Sequence, residues 1–578
     1  MKYSAIPSAQ TVMLYCQSRG IKNIVISPGS RNAPLTISFT ENPFFNCFSI
    51  VDERSAAFFA LGVALQQKTP TVLVCTSGSA LLNYYPAIAE AFYSDVPLIV
   101  ISADRPSYKI DVGDGQTIRQ DHVFDRHIGY SANLKLDVCH HPDTIRKFAP
   151  QLLEETQGEV QNFNESQILK AFNKALLQRQ PVHINIPFEE PLYDTDTKCS
   201  LSISIPENEM NVEEVIDYES LANQWNGAKR KMILVGVNHP NEIAQEHLDH
   251  LANDPSVVVF TETTSNLHHS NFFPSIDSII FPIEKSNQKV EKSKELQPDI
   301  LLTFGGMIVS KKIKAYLREY SPKQHWHIDP IKAFDTYFCL DKHFKMKPNI
   351  FLEHFLPKTI STSSTYQLGW QEVKANYKSK RTAYIHKAPF SDYTVFDKVL
   401  KGIPEAYQVH LANSSTVRYA QLFDMHPSLK VYCNRGTSGI DGSSSTALGA
   451  AFFETEPTLL ITGDLSFFYD CNAYWNTYVK SNFRIIMINN SGGGIFRILP
   501  GANDSENFET YFETAHFRNA ENICEQFGID YTLATNEAQL AAALINFYGQ
   551  GPKPKLLEVQ TPRKLNNKIL LGYFDFIS

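Results

Sequence analysis

Residues 458–496 read TLLITGDLSFFYDCNAYWNTYVKSNFRIIMINNSGGGIF. Two apolar runs, TLLIT and FRIIMI, end in Gly463-Asp464 and in Asn489-Asn490, the latter followed by Ser491-Gly492-Gly493-Gly494. Short runs rich in Ile and Leu, bounded by Gly, Asn and Asp, are the mark of buried strands. A carboxylate and a carboxamide thus sit at the C-terminal edges of two strands, Asn490 lying 26 positions after Asp464. Both offer oxygen ligands to a small hard cation that itself bridges phosphates. An Asp after a strand can equally well begin the next helix. The paired Asn and the three glycines exceed what a tight turn needs, because Gly lets backbone groups approach a ligand closely. The pairing points to a magnesium-held diphosphate.

Working outward, the same pattern recurs along the chain: NIVISPGS (23–30), TVLVCTSGS (71–79), PLIVISADRP (97–106), KMILVGVNHP (231–240), SVVVFTETT (256–264), ILLTFGG (300–306) and QVHLANSS (408–415). Stretches with helical spacing, such as ALLNYYPAIAEAFYSD (80–95), lie between many of them. Alternating β and α elements predict parallel sheets covered on both faces, with ligands gathered beyond the carboxyl ends of the strands. Two stretches break the rhythm, 189–211 and about 358–392, and read as connections. They divide the chain into three α/β blocks: 1–190, 212–357 and 392–578. The middle block lacks a G-x-G-x-x-G fingerprint, which argues against a dinucleotide there.

A chain of 578 residues exceeds a single core, and size alone suggests about three or four domains. Hydrophobic residues at 43% and charged residues at 20% fit a globular protein, and a net charge of −8 gives no basic field for nucleic acid. Nine scattered cysteines, odd in number and without a C-x-x-C pair, suit a reducing cytoplasm. No N-terminal export signal or membrane span is expected, since no apolar run reaches about 18 residues. His140-His141 and His268-His269 lack the i, i+4 spacing of helical metal ligands and read as loop residues.

Three further features carry chemistry. Asp52, Glu53 and Arg54 stand where VDERSAAFFALG (51–62) turns from strand to Ala-rich helix. They can serve as capping and dipole residues, but with a diphosphate cofactor in the third block Glu53 becomes a candidate proton-relay group. The strand-end turns Ser27-Pro28-Gly29-Ser30-Arg31 and Thr76-Ser77-Gly78-Ser79 lead into helices and suit oxyanion binding, strengthened in the first by Arg31.

The long Gly-Asp to Asn-Asn motif resembles the thiamine diphosphate signature, and Glu53 stands where that superfamily carries its cofactor-activating glutamate. Within the superfamily, SPGSRNAPLT (27–36), ADRPSYKIDVGDGQTIRQ (103–120), NSSTVRYAQ (413–421) and NRGTSGIDGSSSTALGAA (434–451) resemble the 2-succinyl-5-enolpyruvyl-6-hydroxy-3-cyclohexene-1-carboxylate synthases of menaquinone biosynthesis. The resemblance spans both end blocks and is looser in the middle one. It implies an α/β fold of three doubly wound parallel-sheet domains: a pyrimidine-binding domain at 1–190, a central domain at 212–357 and a diphosphate-binding domain at 392–578. The implied enzyme is a cytoplasmic transferase, a homodimer or homotetramer with active sites at subunit interfaces. It would remove CO2 from 2-oxoglutarate and add the succinyl carbanion to isochorismate.

By family position, Glu53 is the catalytic residue and hydrogen-bonds the cofactor's aminopyrimidine. Asp464, Asn490 and the main-chain carbonyl of Gly492 would ligate magnesium, or manganese in its place. Ser414, Ser438, Gly463, Leu465 and Ser466 would contact the cofactor; Ile440 would prop it in its bent form, with Ile495 and Phe496 as an apolar wall. Arg418 and Arg435 would hold 2-oxoglutarate, while Ser30, Arg31, Arg105, Gln116 and Lys311 would hold isochorismate. Planar guanidinium groups suit bidentate carboxylate contacts. Gly494 stands where relatives carry Gln, so no side-chain role is carried over there. The cofactor signature alone would also suit another thiamine diphosphate decarboxylase or an acetolactate-synthase relative; the strand-end arginines separate the readings. A catalytically silent binding protein is a third reading, and the retention of Glu53 with every metal-ligand type weighs against it.

Overall fold

All nine apolar runs are strands, and their pairing within the large sheets is parallel. The computed structural model describes residues 2–203, 216–498 and 506–578. Part of the first connecting stretch, 204–211, and the expected start of the central block, 212–215, lie outside the described residues.

The chain forms two compact units. One comprises Met1–Met210 with Gly436–Thr455 and Tyr469–Lys480. Its strands are β1 (Tyr3–Ser4), β2 (Asn23–Ile26), β3 (Asn46–Ser49), β4 (Thr71–Cys75), β5 (Leu98–Asp104), β6 (Tyr130–Asn133), β7 (Val182–Pro187) and β8 (Thr195–Asp196). Six make a sheet in the order β3-β2-β4-β5-β7-β6, and β1 pairs with β8 antiparallel. β4 and β5 are buried at every residue, as continuous apolar runs must be when helices cover both faces. The helix Glu53–Gln67 packs against the helix Ser443–Phe453 at very short range. A Cβ on Gly62 would lie 2.0 Å from the Thr446 carbonyl oxygen, and one on Gly449 2.0 Å from that of Phe59. Only glycine at both positions permits this approach.

The second unit comprises Asn211–Arg435, Glu456–Phe468 and Ser481–Ser578. Its first sheet holds β9 (Lys231–Val235), β10 (Val257–Phe260), β11 (Ile300–Phe304), β12 (Gln324–Ile328) and β13 (Lys342–Phe344), in the order β10-β9-β11-β12-β13. Its second holds β14 (Gln408–Leu411), β15 (Lys430–Tyr432), β16 (Thr458–Gly463), β17 (Arg484–Asn489), β18 (Asp530–Ala534) and β19 (Lys555–Gln560), in the order β15-β14-β16-β17-β19-β18. Taken by position in the chain, this is the strand order of the first unit's six-stranded sheet. In both, the chain reverses direction across the sheet between the first and third strands, and beyond such switch points ligands bind.

The stretch at about 358–392 is more than a connection. It contains the twenty-residue helix Tyr366–Ile385, whose Trp370, Tyr377, Lys374 and Arg381 are buried. Lys374 donates to the carbonyls of Ser270 and Phe272, and Arg381 to the Leu422 carbonyl (2.6 Å) and to Asp424 (2.6 Å). The helix thus straps the two sheets of this unit together. Its polar composition hides a buried face because long cationic side chains bury their stems and spend their charge on carbonyls. The paired histidines lie outside helices and strands, as expected.

Candidate active site

In the first unit, the residues expected to hold isochorismate lie beyond β2 and β5, next to the turn that follows β4. A Cβ on Gly29 would collide with Thr76 at 2.4 Å, so the two strand-end turns are in contact. Gly78 has φ +88°, and a Cβ there would lie 3.2 Å from the carbonyl oxygen of Gln116, itself left-handed at φ +56°. Gln120 ties these segments together: its Oε1 accepts from Gly78 N (2.8 Å), and its Nε2 donates to Asn185 Oδ1 (2.8 Å). Asn185 Nδ2 in turn donates to Asp104 (2.8 Å), which accepts the Arg105 N–H (2.8 Å). Burial pushes the Asp104 carboxyl up to about 6. Arg105 reaches the Gly115 carbonyl at 2.8 Å, and buried Arg31 bonds Glu190 (2.9 Å) and the Phe188 carbonyl (3.1 Å). The Ser30 hydroxyl lies 3.3 Å from that of Tyr193. Of the five residues expected to hold isochorismate, Ser30, Arg31, Arg105 and Gln116 thus belong to the first unit, whereas Lys311 belongs to the second.

Glu53 is the first residue of its helix. Asp52 caps it by accepting from Ser55 N (3.0 Å), and Arg54 bonds the Tyr469 carbonyl (2.6 Å). Glu53 Oε2 accepts from Asn83 Nδ2 at 3.2 Å. Ser438, with φ +62°, and partly buried Ile440 follow the loop Gly436–Thr437, whose backbone is held by Glu90.

In the second unit, β14 and β16 are neighbours, and so are β16 and β17. Beyond β14, Asn413 Oδ1 accepts from Arg435 Nη1 (2.7 Å), and the carbonyl of left-handed Ser414 accepts from Arg418 Nη1 (2.7 Å). One turn holds both guanidinium groups. Burial, reinforced by Arg435, lowers the Arg418 pKa.

Beyond β16, buried Asp464 accepts from Leu465 N (2.7 Å) through Oδ1 and from Gly492 N (2.9 Å) through Oδ2. His516 Nε2 lies 3.2 Å from the same Oδ2 without hydrogen-bond alignment. Gly492 has φ +146°, and a Cβ there would meet the Glu513 carbonyl at 2.7 Å, so this turn requires glycine. At the end of β17 the two asparagines divide their work. Asn489 is structural, bonding Ser491 N, Glu558 and the Arg518 carbonyl. Asn490 donates from Nδ2 to Asp392 (2.9 Å), while its buried Oδ1 has no hydrogen-bond partner.

An orphaned buried oxygen costs about 1–3 kcal/mol unless something satisfies it. With the Asp464 carboxylate and the glycine turn beside it, the donor set is all oxygen, which fits a hard divalent cation. Among the described residues no group of three or more His, Cys, Asp or Glu could hold a metal, so a mixed carboxylate, amide and carbonyl set is what this chain offers. Ser466 is buried behind Asp464, whereas Gly463 and Leu465 are partly exposed. Ile495 borders a cavity of about 80 Å³ that Arg418, Gly494, Asp392 and Arg563 also line. Phe496 is partly buried next to it in the chain.

Three family models match in succession: the thiamine pyrophosphate enzyme N-terminal TPP binding domain over 8–127, the middle domain of thiamine pyrophosphate enzymes over 207–410, and the C-terminal TPP binding domain over 413–559. A protein of Christiangramia forsetii described as 2-succinyl-5-enolpyruvyl-6-hydroxy-3-cyclohexene-1-carboxylate synthase is 54% identical over 100% of both chains. Those of the same description from Flavobacterium psychrophilum and Porphyromonas gingivalis are 50% and 36% identical, each covering at least 98% of either chain. The chain belongs to this synthase family. It is a thiamine pyrophosphate enzyme, and the matched TPP-binding domains contain β2 to β5 of the first six-stranded sheet and β15 to β18 of the second. The benzoylformate decarboxylase structure from Polynucleobacter necessarius shares the fold, with a TM-score of 0.68 at 13% identity over 96% of this chain and 98% of that one.

Lys311 is exposed at the start of the helix Lys311–Glu319, and Lys312 pairs with Glu284. Lys314, one turn on, is half-buried and feels Glu262 and Arg435. Burial pushes the Glu262 carboxyl up to about 7, while the N–H groups of Val309 and Ser310 hold it at 2.7 Å each. Sequence reasoning missed Lys314, Glu262, Asp392, Glu90 and His516. Asp392 carries no local signal, since Ser-Asp before an apolar periodic run reads as an ordinary helix start.

Proposed function

We propose that this chain catalyses the thiamine diphosphate- and magnesium-dependent decarboxylation of 2-oxoglutarate and the addition of its succinyl unit to isochorismate. The products are 2-succinyl-5-enolpyruvyl-6-hydroxy-3-cyclohexene-1-carboxylate and CO2, within menaquinone biosynthesis. The observation that carries this reading is that one strand-end turn, Asn413-Ser414, accepts from both Arg418 and Arg435, at the end of the strand next to the one that leads to Asp464. Two guanidinium groups so placed match a substrate with two carboxylates, and relatives described as synthases of that product align over the whole chain.

When bound, thiamine diphosphate supplies the nucleophilic carbon and the electron sink that decarboxylation requires. Asp464, Asn490 and the Gly492 carbonyl would hold the magnesium, and Ser414, Ser438, Gly463, Leu465, Ser466, Ile440, Ile495 and Phe496 the organic cofactor. Glu53, steadied by Asn83, would be the carboxyl that hydrogen-bonds the aminopyrimidine ring and serves it as proton donor and acceptor. Arg418 and Arg435 fix 2-oxoglutarate by its carboxylates. Ser30, Arg31, Arg105, Gln116 and Lys311 fix isochorismate, and the network through Gln120 and Asn185 keeps several of them in register. The domain limits 1–190, 212–357 and 392–578, a homodimer or homotetramer with active sites between subunits, and a cytoplasmic location complete the reading. No described helix is long and apolar enough to cross a membrane.

The deciding experiment is mass analysis of the product formed from 2-oxoglutarate and isochorismate with thiamine diphosphate and magnesium. The condensed product is expected, with pyruvate a poor substitute for 2-oxoglutarate. Preference for pyruvate would reject the substrate assignment while leaving the cofactor assignment standing.

A further inference from the structure

A carboxamide has two unlike ends, and only its oxygen can ligate a cation. Which end of Asn490 faces Asp464 is therefore decided by what meets the other end. That group is Asp392, a carboxylate 2% exposed at the start of the helix Asp392–Gly402. An ionised carboxylate only accepts, so the amide must present its Nδ2 to it, and the two groups lie 2.9 Å apart. The reverse orientation would set the amide oxygen against a carboxylate and leave Nδ2 pointing at the metal position.

Asp392 is itself fixed from three directions. Its Oδ1 accepts from Thr561 Oγ1 at 2.5 Å, and its backbone N–H donates to Asn566 Oδ1 at 2.8 Å. Asn566 Nδ2 closes the triangle onto Thr561 Oγ1 at 3.1 Å. Thr561 follows β19 and Asn566 begins the C-terminal helix Asn566–Ile577, so partners 98, 169 and 174 positions away converge on Asp392. Such a network is costly to bury and is more than capping of the helix Asp392–Gly402 requires. At its far end it leaves one atom unsatisfied, Asn490 Oδ1.

We propose that Asp392 is a positioning residue of the metal centre: through Asn490 Nδ2 it sets the amide so that Oδ1 alone faces the cation held with Asp464. The inference rests on the magnesium ligation assigned above. Outer partners of this kind govern metal affinity by about 10- to 100-fold, because they fix a ligand's orientation before the metal arrives.

The test is magnesium binding, not turnover: the apoprotein with thiamine diphosphate is titrated with Mg2+ and followed by tryptophan fluorescence, with Mn2+ spin resonance as a second readout. Asp392→Leu is expected to weaken the cation about 10-fold or more. The exchange variant Asp392→Asn/Asn490→Asp separates positioning from folding. It keeps one carboxylate and one amide in contact, with a carboxylate oxygen now facing the metal, and should recover most of the affinity. Asn490→Asp alone sets two carboxylates against each other and should bind poorly. Near-wild-type affinity in folded Asp392→Leu overturns the proposal, as does failure of the exchange variant to bind better than Asn490→Asp. Asn490→Ala distinguishes the levels: if it retains full affinity, the magnesium assignment itself fails, whereas loss there with none in Asp392→Leu sinks only the role of Asp392.

Discussion

Glu90 holds Thr437 by both of that residue's donors: its Oε2 accepts the backbone N–H at 2.6 Å and the hydroxyl at 2.8 Å, while Oε1 takes the N–H of Gly436 at 2.7 Å. The carboxylate is 1% exposed, and a Cβ at Gly436 would strike the Glu90 carbonyl at 2.5 Å, so the loop is pinned from one side. The next residues, Ser438 and Ile440, are the proposed cofactor contacts. Glu90→Ala leaves two N–H groups and a hydroxyl without their acceptor, each orphan costing about 1–3 kcal/mol if it stays buried. We expect a clearly lower Tm and, in the folded fraction, thiamine diphosphate binding weakened about 10-fold, with Glu90→Gln milder because one acceptor remains. Titration of both variants with the cofactor checks this, and unchanged affinity in folded Glu90→Ala would remove the loop from the site.

The crossing of Gly62 and Gly449 gives a second expectation. Gly62→Ala must push a methyl against the Thr446 carbonyl, which is backbone and cannot swing aside. Overpacking of this kind costs about 1–3 kcal/mol, and more where the helices cannot separate. Because Glu53 opens one of these helices, the strain should reach the site. Thermal unfolding is expected to show Gly62→Ala and Gly449→Ala each destabilised. Their double variant should lose less than the two losses added, since one separation of the helices relieves both clashes.

Glu53→Gln keeps the size and the hydrogen-bonding reach of the side chain but removes the titrating proton. We expect turnover to fall by about 10²-fold or more, as for loss of a general acid or base. Magnesium affinity should be nearly unchanged, because none of the proposed metal ligands belongs to the helix Glu53–Gln67. Single-turnover kinetics and a magnesium titration on the same preparation read the two effects apart. Undiminished turnover would take Glu53 out of the mechanism.

The strand ends were legible because a buried parallel strand writes itself as an apolar run stopped by Gly, Asn or Asp, and those stops are where ligands gather. Asp464, Asn490 and the strand-end arginines were visible for that reason. Asp392 was not, because its partner Asn490 is 98 positions away, nor was Glu90, whose partner Thr437 is 347 positions away. Pairings at such separations depend on how helices pack, and no local period encodes them. The helix Tyr366–Ile385 was hidden for another reason: its buried face includes Lys374 and Arg381, which read as solvent-exposed in any hydrophobic pattern.

His183 supplies a pH signature for the fold. Its Nε2 lies 2.7 Å from the Ser102 hydroxyl in the buried network beside Gln120 and Asn185, and burial pushes its pKa down to about 3. A folded pKa below the ordinary value of about 6.5 means that the native state holds the neutral ring. Its contribution is fully present above about pH 6.5 and is lost as pH falls toward 3. His410, at about 3, and His325 and His327, at about 4, act in the same direction. Buried Asp104 at about 6, and Glu262 and Asp470 at about 7, act oppositely, losing stability as pH rises through those values. Whole-protein stability therefore mixes both signs, and a difference measurement is needed. Urea unfolding of the wild type and His183→Gln between pH 7.5 and 4.5 should show the wild type losing more stability on acidification, by up to about 1.4 kcal/mol per pH unit, the value for one proton. Parallel pH dependences would mean that the ring is not held neutral in the native state.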